Sequence, residues 1–120
     1  MLGELVQRSD GYKKEERMET NFKVEITNNP EFDRFIFHGN IDIHASNYFQ
    51  ALPDNVANAK VKLDFSQVGR INSMGIALLL RCCKKIRAEK NAEILLTGVN
   101  TMHTMLFKTT GVFLLAAIER

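Results

Sequence analysis

The residue that invites a chemical reading is Ser73, within "DFSQVGRINSMG", residues 64–75. A strand-like segment runs into this stretch and a strongly apolar helical one leaves it, so the serine falls at a helix N-cap or in a first turn. The structural reading is that Asn72 or Ser73 accepts a hydrogen bond from a free N–H of that turn, worth about 1 kcal/mol. Gly75 then lets the helix start close to a sheet. The nucleophilic reading is a hydrolase elbow, G-x-S-x-G, which needs glycine two residues either side of the serine. Gly75 fits, but Ile71 stands where the first glycine belongs, and His103 is the only downstream histidine available as a base. No enzyme activity is expected.

Other reactive side chains offer little. Cys82 and Cys83 are adjacent, which suits neither an ordinary disulfide nor the spaced pairs of a zinc site, so they read as reduced packing residues. His38, His44 and His103 lack ligand spacing; no metal or other cofactor is expected. Sixteen basic against fourteen acidic residues leave a net charge of +2, too even for a non-specific hold on nucleic acid or anionic lipid. The longest apolar run, residues 75–80, is far short of the roughly 20 residues that span a bilayer, and no signal-like segment opens the chain. A cytoplasmic protein is expected.

The elements that must position Ser73 follow from periodicity. With 120 residues, 45% of them hydrophobic, the chain suits one domain over residues 18–120, preceded by a tail or short accessory helix over 1–17. "NFKVEIT" alternates Phe22, Val24 and Ile26 with polar neighbours, and "FDRFIFHG" follows the turn signal "NNPE": a β-hairpin ending at Gly39. Ser46 opens a short helix that Pro53 stops. "AKVKLDF" is a strand, a loop of about seven residues follows, and the spacing of Ile76, Leu79, Leu80, Cys83 and Ile86 predicts a helix over 73–89. Arg81, Lys84, Lys85 and Arg87 lie off that stripe as a solvated, dipole-matched face. "AEILLTGV" reads as a strand covered on both faces. Asn100 or Thr101 caps a helix to Lys108 that packs through Met102, Met105, Leu106 and Phe107, and "VFLLAAIE" supplies a last strand. The order ββαβαβαβ predicts an α/β fold: a mixed, mostly parallel sheet of four to five strands with about three helices packed against it.

Taken together, "VKLDFSQVGRINSMGIALLL" and "AEILLTGVNTMHTMLFKTTGVF" resemble the STAS family, the sulphate transporter and anti-sigma factor antagonist domain, over about residues 20–118. The family's Asp-Ser-(Ser/Thr)-Gly motif falls on Asn72, Ser73, Met74 and Gly75, with asparagine for the aspartate and methionine for the hydroxyl residue. "GNID", residues 39–42, sits where the family has a glycine, a polar residue and an aspartate before its first helix.

The resemblance implies a non-enzymatic partner-switching regulator. It binds an anti-sigma factor that is also a serine kinase, and it is controlled by phosphorylation of Ser73 and reset by a serine phosphatase. Asn40, Asp42, Asn72, Met74 and Gly75 are the implied partner contacts; Asp42 serves equally well as a cap for the short helix. The alternative is a STAS interaction subunit of a transporter or signalling complex that works without phosphorylation. Many family members carry a further C-terminal helix, so residues 1–17, a partner or a second copy of the chain in a homodimer is expected to cover that surface.

Overall fold

The computed structural model describes residues 22–119; the predicted tail or accessory helix at 1–17 lies outside them. Strands β1 (Lys23–Asn28) and β2 (Asp33–Ile41) form the predicted antiparallel hairpin. Its turn is set by Asn29, whose Oδ1 accepts the N–H groups of Glu31 and Phe32 at 2.8 and 2.9 Å. Asp33 is fully buried where β2 begins. Its carboxylate accepts from the N–H groups of Ala57 and Asn58 at 2.7 and 2.8 Å, and from the amides of Asn28 and Asn58. Burial opposes its ionisation, but these donors outweigh burial and hold the group below the usual carboxylate range. One aspartate therefore ties the hairpin to the segment entering the next strand.

That strand, β3 (Lys60–Ile71), runs parallel to β2 on one side and to β4 (Glu93–Thr97) on the other, and β5 (Ala117–Ile118) completes the order β1-β2-β3-β4-β5. The connections carry α1 (Ser46–Ala51), α2 (Ser73–Lys85) and α3 (Thr101–Thr110). All three pack on one face, as successive right-handed crossovers stepping the same way require. Phe49 of α1 meets Phe37 at 5.2 Å, Phe107 of α3 meets Phe65 at 5.2 Å, and Phe37 lies 5.4 Å from Phe65. Leu79 and Cys83 of α2 are fully buried in the same core cluster.

The opposite face is ionic. Arg34 pairs with Asp64, Lys62 with Glu119 at 2.9 Å, and the Lys62 ammonium sits 4.0 Å from the centre of the Phe32 ring. Burial raises the pKa of Asp64, but the hydroxyl and N–H of Ser66 and the Arg34 guanidinium outweigh it and draw the group down. The run at 92–99 predicts a strand covered on both sides. In β4, however, Ile94 and Leu96 are buried under the helices while Leu95 and Thr97, on the ionic side, are half-buried.

Other departures are local. β2 continues past Gly39 to Ile41, the glycine taking φ 99° beside register shifts against β3. The helix predicted over 73–89 is α-helical to Lys85 and finishes in a π turn, Ile86–Lys90, ended by Asn91 at φ 52°. Its buried stripe takes in Leu78 and Cys82, and Leu80 is only half-buried. After α3, Gly111 adopts φ 90° and Val112–Leu114 wind into a 3-10 turn that buries Val112, so the predicted last strand shrinks to two residues.

Candidate functional site

Because β2, β3 and β4 are parallel, their C-terminal ends share one edge of the domain, where the turn after β2 and the first turns of α2 and α3 gather. Sequence spacing predicts a seven-residue loop before Ser73, and the structure has none. β3 stays paired with β2 as far as Ile41 opposite Ile71, and Phe65 and Val68 bury their side chains along the way. Gly69, Ser66 and Gln67 look like loop residues in isolation; the neighbouring strand overrides them.

Three contacts lock this strand end. Asn40 Oδ1 accepts the Arg70 N–H at 2.8 Å, and a Cβ on Gly69 would stand 2.5 Å from the same oxygen. The Asn72 N–H donates to the Ile41 carbonyl at 3.2 Å. His103, 2% exposed in α3, places Nε2 2.8 Å from the Gly69 carbonyl; a carbonyl only accepts, so that nitrogen carries the proton. Its Nδ1 is buried with no partner among the described residues. This histidine is a joint between α3 and β3 rather than a solvated side chain.

At the junction, Asn72 is the N-cap of α2. Its Oδ1 accepts the Gly75 N–H at 2.8 Å, and its carbonyl accepts the Ile76 N–H at 2.9 Å. Ser73 is the first helical residue and is exposed, its hydroxyl not used for capping. Gly75, implied as a partner contact, is instead buried, and a Cβ there would press into the Ile41 backbone. Asp42 caps the 3-10 turn Ile43–Ala45 through its Oδ1, which accepts the His44 N–H at 2.9 Å. Asn40, Asp42, Arg70 and Asn72 line a recess of about 250 Å³.

The edge is also apolar where it meets solvent. Ile43 is 52% exposed, Met74 45%, Met102 72% and Met105 65%. The sequence predicts Met102 and Met105 as core contacts, but α3 buries His103 and Phe107, four residues apart, which turns both methionines outward. Setting the helix phase by Phe107, the only aromatic in that helix, would have found them. Ile43 and Arg70 were likewise beyond sequence reasoning, because the β2–β3 register decides what surrounds them.

The sequence profile of the STAS domain matches residues 23–119. The chain belongs to the STAS domain family. Among curated proteins no sequence matches it significantly. Its fold is similar to that of the anti-sigma factor antagonist SpoIIAA in its unphosphorylated form, at 16% identity and TM-score 0.61, covering 82% of this chain and 87% of that one. The Bacillus cell fate determinant SpoIIAA in the phosphorylated form is similar at 17% identity and TM-score 0.60, covering 82% and 91%. A sulfate transporter family protein from Wolinella succinogenes matches at 13% identity and TM-score 0.66, covering 77% and 80%. The predicted STAS-like sheet and helices are thus the observed fold. Within the STAS domain, no helix among the described residues is long and apolar enough to cross a membrane, and no group of three described His, Cys, Asp or Glu side chains could hold a metal ion.

Proposed function

We propose that this STAS domain is a cytoplasmic partner-switching regulator of the anti-sigma factor antagonist kind, controlled by reversible phosphorylation of Ser73. The observation that carries the reading is Ser73 itself: exposed, first in its helix, and relieved of capping by Asn72. A partner serine kinase transfers the γ-phosphoryl group of a nucleoside triphosphate. The Ser73 Oγ–P bond forms, the bond from Pγ to the bridging oxygen breaks, the nucleoside diphosphate leaves, and the hydroxyl proton passes to a base on the kinase. A phosphatase returns the serine by hydrolysis. The new charge of about −1.5 to −2 lies at a helix start, which favours an anion by roughly 0.3–1 kcal/mol, so the domain keeps its fold. A partner seated on Met74 and Ile43 must desolvate the phosphate, at a cost that reaches several kcal/mol.

The test is copurification from the native cells. Ser73→Ala should hold the partner constitutively and Ser73→Asp should lose it; equal binding by Ser73→Asp and wild type would refute the switch. Intact-mass analysis should show a mono-phosphate mapped to Ser73. A second reading, an interaction subunit that works without phosphorylation, is favoured by the methionines that leave the edge adhesive on their own. It expects the partner to be retained whatever stands at position 73.

A further inference from the structure

We infer that Arg70 is the intramolecular counter-ion of a phosphate on Ser73, received in the recess that Arg70 shares with Asn40, Asp42 and Asn72. The inference rests on the reading of Ser73 as a phosphoacceptor and says where the phosphate goes. Arg70 and Asn72 are two residues apart, so they project to the same side of the chain and both reach the recess. β3 runs to Ile71 with no intervening loop, which holds Arg70 and Ser73 at a set separation of about 10 Å along the backbone. Ser73 directly follows Asn72, which lines the recess, and an arginine side chain is long enough to span most of that separation towards a phosphate on the serine.

Among the described residues no group pairs with the guanidinium. Arg70 is exposed, and the ion pairs among the described residues use Arg34, His38 and Lys62 instead. Its backbone N–H, bound to Asn40, keeps the strand in place without engaging the side chain. The charged neighbours pull in opposite directions. Asp42 presents a carboxylate to the same recess, with one oxygen engaged by the His44 N–H, and repels a second anion. The exposed His44 adds positive charge only when protonated. Without Arg70, a phosphate beside Asp42 would turn outward into solvent; with it, two N–H donors of a planar fork take two phosphate oxygens. The consequence is a phosphorylated state with a defined shape: the anion folded back over the recess, covering Asn40 and Asn72 against a partner.

The experiment uses the full chain with phosphoserine built in at position 73 during synthesis, so it does not depend on any kinase. Phosphorus NMR follows the second ionisation of the phosphate, ordinarily near pH 6, against pH. An adjacent cation favours the dianion. The midpoint in the wild-type chain should therefore lie roughly 0.3–0.7 unit below that of Arg70→Gln, a gap that shrinks in 1 M salt. Arg70→Lys should keep part of the gap, and Asp42→Asn should move the midpoint further down. Equal midpoints for wild type and Arg70→Gln would overturn the inference. Its failure is separable from failure of the switch, because an unmodified Ser73 in native cells refutes the switch and leaves this titration unaffected.

Discussion

Gly75→Ala sets two opposing effects against each other at the start of α2. In a helix interior alanine is more favourable than glycine by about 1 kcal/mol, so propensity alone makes the variant more stable. The structure opposes this. A Cβ at residue 75 would stand 2.7 Å from the carbonyl carbon of Ile41 and 3.0 Å from its Cγ2, with the carbonyl oxygen nearer still. Real Cβ atoms essentially never approach within 3.0 Å, and what they meet here is backbone rather than the mobile end of a side chain. Relief requires the helix start to move away from β2. That motion stretches the Asn72 N–H bond to the Ile41 carbonyl and disturbs Ile76 and Leu79, both buried. Overpacking of this kind costs typically 1–3 kcal/mol, and weakening one hydrogen bond adds about 1 kcal/mol. The clash exceeds the propensity gain, so the variant should be less stable by about 1–3 kcal/mol. Urea denaturation with unchanged slope measures it. A Gly75→Ala chain as stable as wild type, or more so, would show that the helix does not rest on the Ile41 backbone as described.

Further outcomes follow from other buried groups. Asp33→Ala leaves two N–H groups and two side-chain amides without their shared acceptor and should cost about 3 kcal/mol in denaturant unfolding. The Asp33 pKa is depressed in the fold, so its contribution is present above the unfolded pKa, near 4, and is lost as pH falls through the lower folded value; Asp33→Asn should flatten that acid slope. Burial pushes the Cys82 thiol well above its ordinary range and the Cys83 thiol up to about 12, so neither should react with a thiol reagent at pH 8 until the chain unfolds. Asn72→Ala removes the cap of α2 and should cost about 1 kcal/mol in thermal unfolding.

What was legible in the sequence is what local periodicity encodes. The hairpin shows in the alternation through Phe22, Val24 and Ile26, and α2 in the spacing of Ile76, Leu79, Cys83 and Ile86. Asn100 and Gly111 cap the two ends of α3, the first through the His103 N–H and the second in the left-handed region. What was not legible depends on partners distant in sequence. Residues 66–70 read as loop because nothing local says that β2, with its register shifts, will extend alongside them. The burial of Gly75 follows from the path of Ile41, thirty-four residues earlier. His103 shows no role in the sequence beyond lacking ligand spacing until the Gly69 carbonyl is brought to it. Position 73 itself could be read from its neighbours, yet the division of labour, Asn72 capping and Ser73 free, took the geometry of one hydrogen bond to settle.

That division bears on how large a switch the proposed phosphorylation of Ser73 could produce at this edge. Fully burying a methionine side chain contributes about 1.5–3 kcal/mol. Met74, Met102 and Met105 are each about half to three-quarters exposed in the free domain, so covering all three contributes roughly 3–6 kcal/mol to a complex. Moving a partner from 99:1 bound to 1:99 takes about 5.5 kcal/mol, within the range that desolvating a phosphate supplies. Apolar attraction and phosphate penalty are therefore of one size, the condition for a single modification to reverse binding. It follows that Met102→Ser, far from Ser73 in sequence, should weaken a bound partner about tenfold, the equivalent of 1.4 kcal/mol. The same change should leave unfolding stability within about 0.5 kcal/mol, since the side chain supports nothing beneath it. Partner binding unchanged by Met102→Ser and Met105→Ser together would place the docking surface elsewhere and remove the energetic balance that the switch requires.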